Sequence, residues 1–196
     1  LAAPTGATIW MDQLGSGEAD AVIVDAAGDV LVAGAVDGAF AVARLTGDAG
    51  AERWRVTVPG GAARALARDP AGDVFAAGSL GDDLLVVRLA GGTGGKVWRT
   101  VIAGAGAAAL ARDPAGDVIM AGTFTAGGGR HLAVAKLAGA NGVERWRQML
   151  GDGSETDGAT AVAVGAGGDV TATGRVSRTG RRPALATFAT VTLAGA

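Results

Sequence analysis

The sequence has no cysteine, no tyrosine and a single histidine, His131. Without cysteine there are no disulfides and no thiolate metal sites, and one imidazole cannot build a standard zinc centre. The same shortage leaves a serine triad only one base to use. That base, His131, has Arg130 beside it and no acidic residue close in sequence. Excess charge is missing too: the net charge is −2, so no basic field draws nucleic acid or an anionic membrane. Long apolar runs are absent, because stretches such as Ala103–Ala111 are short and rich in Gly and Ala, so no membrane span is expected. No metal, no cofactor and no enzyme activity are expected.

What is plentiful is glycine, at 35 residues, and apolar side chains, at 49%. The apolar share excludes disorder, and the lack of a three-residue glycine period excludes collagen. A chain of 196 residues suffices for one domain burying roughly 70% of its unfolded surface.

A repeat organises the chain. "DAAGDV" (Asp25–Val30) and "DPAGDV" (Asp69–Val74, Asp113–Val118) place glycines at 28, 72, 116 and, in a variant copy, 168. Trp10, Trp54, Trp98 and Trp146 keep the same register, spaced 44, 44 and 48, with Leu1, Leu45, Leu89 and Leu137 nine residues before them. Each unit reads as four strands. In the second copy these are Ala63–Asp69, Asp73–Ser79, Asp83–Leu89 and Lys96–Ile102. The middle two are apolar on both faces, and no helical periodicity offers cover, so sheet must stack on sheet. Four-stranded sheets repeated around an axis make a β-propeller. The expected fold is all-β, a propeller of four-stranded antiparallel blades over residues 19–58, 63–102, 107–150 and 158–196. Residues 1–14 supply a closing outer strand, with Ala7–Leu14 beside the strand ending near Leu193.

Asp69-Pro70-Ala71-Gly72 is a turn recipe: Asp accepts amides ahead of it, Pro presets φ and Gly accepts positive φ. A type I turn with a Gly bulge is expected. Calcium ligation by Asp69 and Asp73 is the weaker alternative, since two carboxylates fall short of six to eight oxygens and Gly165 replaces the leading Asp in the fourth copy.

The stretches Gln13–Gly34 and Met149–Gly174, with "FAVARL" (Phe40–Leu45) and "LAVAKL" (Leu132–Leu137), resemble the bacterial β-propeller repeats called SBBP. That resemblance covers nearly the whole chain. It implies a secreted or surface-exposed bacterial protein, extracellular or periplasmic, with no shared catalytic residues. "TGATIW" (Thr5–Trp10) and "TGGKVW" (Thr93–Trp98) are similar to the tryptophan docking motif of quinoprotein dehydrogenases, where it joins blade to blade; the Thr is lost in "AGAERW" and "NGVERW".

Other motifs carry little. "GGTGG" (Gly91–Gly95) leads into a strand, not a helix, and so is no phosphate loop. The carboxylates of Asp82 and Asp83 sit in a turn, where solvation explains them. The repeated Trp could stack sugars, but filling the gap between blades is the stronger reading, with Arg stems over the ring edges.

Length variation falls on one rim. The segment from the Gly ending strand two to the Leu ending strand three spans 11, 11, 15 and 19 residues, and Trp to the next turn Gly spans 18, 18, 18 and 22. The insertions are Thr125–His131, Gly151–Gly158 and Arg175–Pro183. They bring Arg130, His131, Arg175, Arg178, Arg181 and Arg182 together with Asp152, Glu155 and Asp157, and form the candidate partner-binding rim. Tolerated surface drift is the competing reading. The expected function is a non-enzymatic binding scaffold for a protein or glycan partner, or for self-assembly. A fragment of a quinoprotein-like oxidoreductase is the alternative.

Overall fold

The computed structural model describes residues 6–153, 157–177 and 187–194. Among these residues the structure is all strand and turn, with 15 strands in four antiparallel sheets. The first sheet runs in order through β1 (Gly17–Val24), β2 (Val30–Val36), β3 (Ala39–Leu45) and β4 (Glu52–Pro59). The second follows as β5 (Gly61–Arg68), β6 (Val74–Leu80), β7 (Asp83–Leu89) and β8 (Lys96–Ile102). The third is β9 (Ala105–Arg112), β10 (Val118–Ala126), β11 (Gly129–Leu137) and β12 (Glu144–Leu150). The last has three strands, β13 (Gly158–Val164), β14 (Val170–Val176) and β15 (Thr187–Leu193).

The apolar middle strands lie where their composition demands. Both faces of β6 and β7 are covered, with Val74, Phe75, Ala76, Ala77, Leu84, Leu85 and Val86 sealed from solvent. One alternate set (Val74, Ala76, Leu85, Val87, Leu89) packs on Leu31, Ala33, Phe40 and Val42 of the first sheet. The other set (Phe75, Ala77, Leu84, Val86) packs on Val118, Met120, Ala135 and Leu137 of the third. A further cluster joins the third and fourth sheets through Ile119, Ala121, Leu132, Val134, Val170 and Ala172. The core is thus a series of inter-sheet layers, as a propeller requires.

The repeated phrase forms the expected turn. Asp69 N–H donates to Asp73 O and Gly72 N–H to Asp69 O, with Gly72 at φ 100°. Asp69 Oδ1 accepts the Asp73 amide at 2.8 Å. The Asp25 and Asp113 turns repeat that side-chain bond at 3.0 and 2.8 Å.

Two features differ from expectation. Thr125–His131 is not a loop: β10 and β11 pair out to Ala126↔Gly129 around a two-residue Gly127–Gly128 turn, both at positive φ. Backbone pairing needs no particular side chain, so a Gly-rich insertion can lengthen a hairpin. Second, Ala7–Leu14 forms no ladder with β15, and residues 6–14 join no sheet. The indole of Trp10 instead donates to Gly47 O at 2.9 Å, which fixes this segment on the first sheet, at the opposite end of the row from β15.

Candidate functional site

The two rims of the molecule are built differently. On the rim with the β1–β2-type and β3–β4-type turns, repeated polar residues tie the turns of a sheet together and at two junctions reach the next sheet. Arg44, one residue before the strand-ending Leu, donates to Asp25 Oδ2 at 2.7 Å and to Asp29 Oδ2 at 3.0 Å. Its remaining nitrogen crosses to Gly91 O of the second sheet at 2.7 Å, and Trp54 Nε1 donates to that same oxygen at 2.9 Å. Arg88 does likewise with Asp69, Asp73 and Gly139 O, where Trp98 also donates. In the third sheet Lys136 takes the Arg position, 2.8 Å from Asp113 and 3.5 Å from Asp117.

Two of these carboxylates, Asp29 and Asp113, are tuned by their partners. Burial pushes Asp29 up, but the hydrogen bond and charge of Arg53, then those of Arg44, outweigh it and hold its carboxyl below the ordinary value. Asp113 is governed the same way, with burial opposed by Lys136 and the turn amides, and it too titrates low. In the fourth sheet both partners change together: Gly165 stands for the first Asp and Thr192 for the Arg, and Thr192 Oγ1 bonds Thr171 Oγ1 at 3.1 Å.

These latches were missed in the sequence, where Asp69 and Asp73 read only as turn residues. The available signal was a base directly before each strand-three Leu, Arg44, Arg88 and Lys136, lost only where the Asp is lost. The Arg residues flanking Trp also do more than cover ring edges. Arg53 pairs with Asp29 at 2.7 Å, and Arg145 with Asp117 at 2.8 Å. Trp54 and Trp98 are buried and belong to the inter-sheet cores, which is the packing role.

The other rim carries the insertions, and two adjoining pairs of them meet. Gly129 of the extended hairpin lies so close to Gly153 that a Cβ on it would fall 2.1 Å from Gly153 O. The His131 ring stands beside Gly153, and its Nε2 lies 3.3 Å from Ala126 O. Asp157 is buried at 1% exposure, and its Oδ1 accepts the Ser177 amide at 2.6 Å, which ties the second insertion to the start of the third. Its Oδ2 is also buried and has no hydrogen-bond partner among the described residues. Arg130 is exposed, 3.4 Å from Thr123 Oγ1, and Asp152 and Arg175 are exposed. Glu155, Arg178, Arg181 and Arg182 lie outside the described residues. No group of three or more metal-ligating side chains occurs among the described residues. No helix among them is long and apolar enough to cross a membrane.

No family model and no curated protein matches this chain. Solved structures do. BamB from Moraxella catarrhalis superposes with a TM-score of 0.56 at 16% identity, over 86% of this chain and 48% of that one. The WD40 β-propeller domain of Doa1 gives 0.62 at 15%, over 84% and 50%. A quinohemoprotein alcohol dehydrogenase from Pseudomonas putida HK5 gives 0.55 at 13%, over 75% and 30%. The chain spans about half the length of the first two, and these likenesses establish a β-propeller repeat fold.

Proposed function

We propose that this chain is a non-enzymatic, secreted or surface-exposed binding scaffold of the SBBP type, whose partner is a protein or glycan engaging the inserted rim. One observation carries the reading. The Arg and Trp side chains at the first two junctions of the opposite rim are taken up by inter-sheet latches, while the insertions converge through Gly129–Gly153 and Asp157–Ser177 on the other rim. Exposed Arg130, Asp152 and Arg175 give that rim mixed charge, which suits a polar partner better than an apolar ligand.

The quinoprotein-like alternative is favoured by the indole-to-Gly carbonyl docking, but that contact serves packing and bears on fold, not on redox chemistry. Peptide and glycan arrays test the scaffold reading. They are to be probed with the chain and with a variant whose three insertions are cut to the length of the second repeat. Binding by the chain and not by the shortened form is expected; equal binding by both overturns the rim assignment.

A further inference from the structure

The turn between β11 and β12 holds a residue type that its counterparts do not. Asn141 is the only asparagine of the chain, and Gly142 follows it. The turn itself is shared. Ala138 N–H donates to Val143 O and Gly142 N–H to Ala138 O, both at 2.8 Å, in the pattern that Thr46 and Gly50 make in the first sheet and Ala90 and Gly94 in the second. Position 142 requires glycine, since its φ is 73° and a Cβ there would fall 2.6 Å from the Trp98 ring and 2.5 Å from Thr100 Oγ1. The docking makes no such demand on the exposed residue before it, which is Ala49 in the first sheet and Thr93 in the second.

Asn141 Oδ1 accepts the Val143 amide at 3.1 Å. That bond folds the side chain back over its own peptide, so the Cγ carbonyl carbon lies beside the Gly142 nitrogen. Thr93 makes the matching bond to the Gly95 amide at 3.2 Å, but a hydroxyl has no carbonyl carbon to attack. The Val143 N–H also points at the oxygen on which negative charge gathers when Cγ is attacked. Glycine at 142 leaves the attacking nitrogen unshielded by a side chain of its own. Nucleophile, electrophile and oxyanion donor thus stand together in one turn.

We propose that the Asn141–Gly142 step is a self-modification site, with water as its only co-reactant. The Gly142 nitrogen bonds to Asn141 Cγ and gives up its proton. The Cγ–Nδ2 bond breaks, ammonia leaves with that proton, and a five-membered imide closes. Water then adds to one of the two imide carbonyls, and the C–N bond there opens. Opening at Cγ leaves an aspartyl residue. Opening at the backbone carbonyl leaves an isoaspartyl residue, whose main chain runs through Cβ and Cγ and is one methylene longer. No electrons are exchanged, and both products gain a carboxylate. The place matters because this turn receives polar bonds from the second sheet: Trp98 Nε1 and Arg88 Nη1 donate to Gly139 O, each at 2.9 Å, and Thr100 Oγ1 to Gly142 O at 2.8 Å. A methylene inserted between Gly139 and Gly142 changes the spacing of those two acceptors, while Gly142 has no room to shift against Trp98. The isoaspartyl product therefore loosens the second sheet from the third, whereas the aspartyl product leaves the docking intact. The turn lies on the rim opposite the insertions, so this site and the binding rim stand or fall separately.

The first readout is peptide mass mapping of the unmodified chain, kept folded at mildly alkaline pH. The peptide covering residues 141–142 is expected to gain the mass of an amide becoming an acid, with the imide as its precursor and with no gain in Asn141→Gln. Conversion of the free peptide alone, with none in the folded chain over the same time, overturns the site. Asp–Gly steps such as Asp37–Gly38 return to their own mass through the same ring and do not register. The second readout is thermal melting of the aged chain after separation by charge. The isoaspartyl fraction is expected to melt below the unmodified chain, and Asn141→Asp to melt with the unmodified chain. Equal melting of the isoaspartyl fraction and the unmodified chain overturns the junction effect. An equal drop in Asn141→Asp also overturns it, because the added charge and not the added methylene would then be the cause.

Discussion

At the carbonyl oxygen of Gly139 two donors from the preceding sheet converge, the indole of Trp98 and the guanidinium of Arg88, each at 2.9 Å. Arg88 is held there by Asp69 and Asp73, at 3.3 and 2.9 Å. Removing the guanidinium alone leaves the buried Asp69 and half-buried Asp73 carboxylates without their cation, whereas changing both sides copies what the fourth sheet already has in Gly165 and Thr192. Arg88→Thr is expected to cost about 3 kcal/mol, the lower end for breaking a buried pair, because the site edge reaches solvent. Asp69→Gly in the same chain is expected to recover part of that loss. Urea melts of the two single variants and the double variant form a cycle that measures the coupling. Additive losses would show that the two groups do not act as a unit.

Among the elements, the second strands show how a glycine became a legible marker before its cause was known. Gly34, Gly78, Gly122 and Gly174 recur in register, and each faces a bulge in its first strand, where the pairing slips by one residue. The bulge presses a carbonyl onto the glycine, so that a Cβ at Gly78 would sit 2.0 Å from Ala62 O. Gly78→Ala is expected to be among the most damaging single-methyl additions in the chain, at about 1–3 kcal/mol by thermal melting. A neutral result would mean that the bulge is free to relax. The four strands of each of the first three sheets and the Asp–Gly turns were readable because composition and turn chemistry act locally. The bulges were not, because they are a property of pairing. The latches were not either, since Asp69 and Arg88 lie 19 residues apart and meet only once three strands have paired. At the rim, the sequence placed the insertions on one side. It could not show that Thr125–His131 is a longer hairpin, or that Asp157 turns inward to hold Ser177.

Among the described residues the sheets form a row in which each packs on its neighbours, and its turns carry carboxylates paired with Arg or Lys in the first three sheets. This makes acid a probe of the entire row. Asp29 and Asp113 both have folded-state values below the reference of 3.8, held there against burial by Arg53 and Arg44 in one case and by Lys136 in the other. The folded state then binds fewer protons than the unfolded chain as pH approaches that reference from above. Their contribution is fully present above the unfolded value, declines as pH falls below it, and is gone once pH has passed through the depressed folded values. The melting temperature is therefore expected to hold nearly level from pH 7 to about pH 5 and to fall steeply below about pH 4. The decline should be gentler in a chain carrying Asp113→Gly with Lys136→Thr, because one of the two low-titrating carboxylates is gone. Salt should weaken the Asp29 share, whose main partner Arg53 is half exposed, more than that of Asp113, whose partner Lys136 is buried. A melting temperature that stays level down to pH 2.5 would show that apolar packing alone holds the sheets together and that the latches set only their alignment.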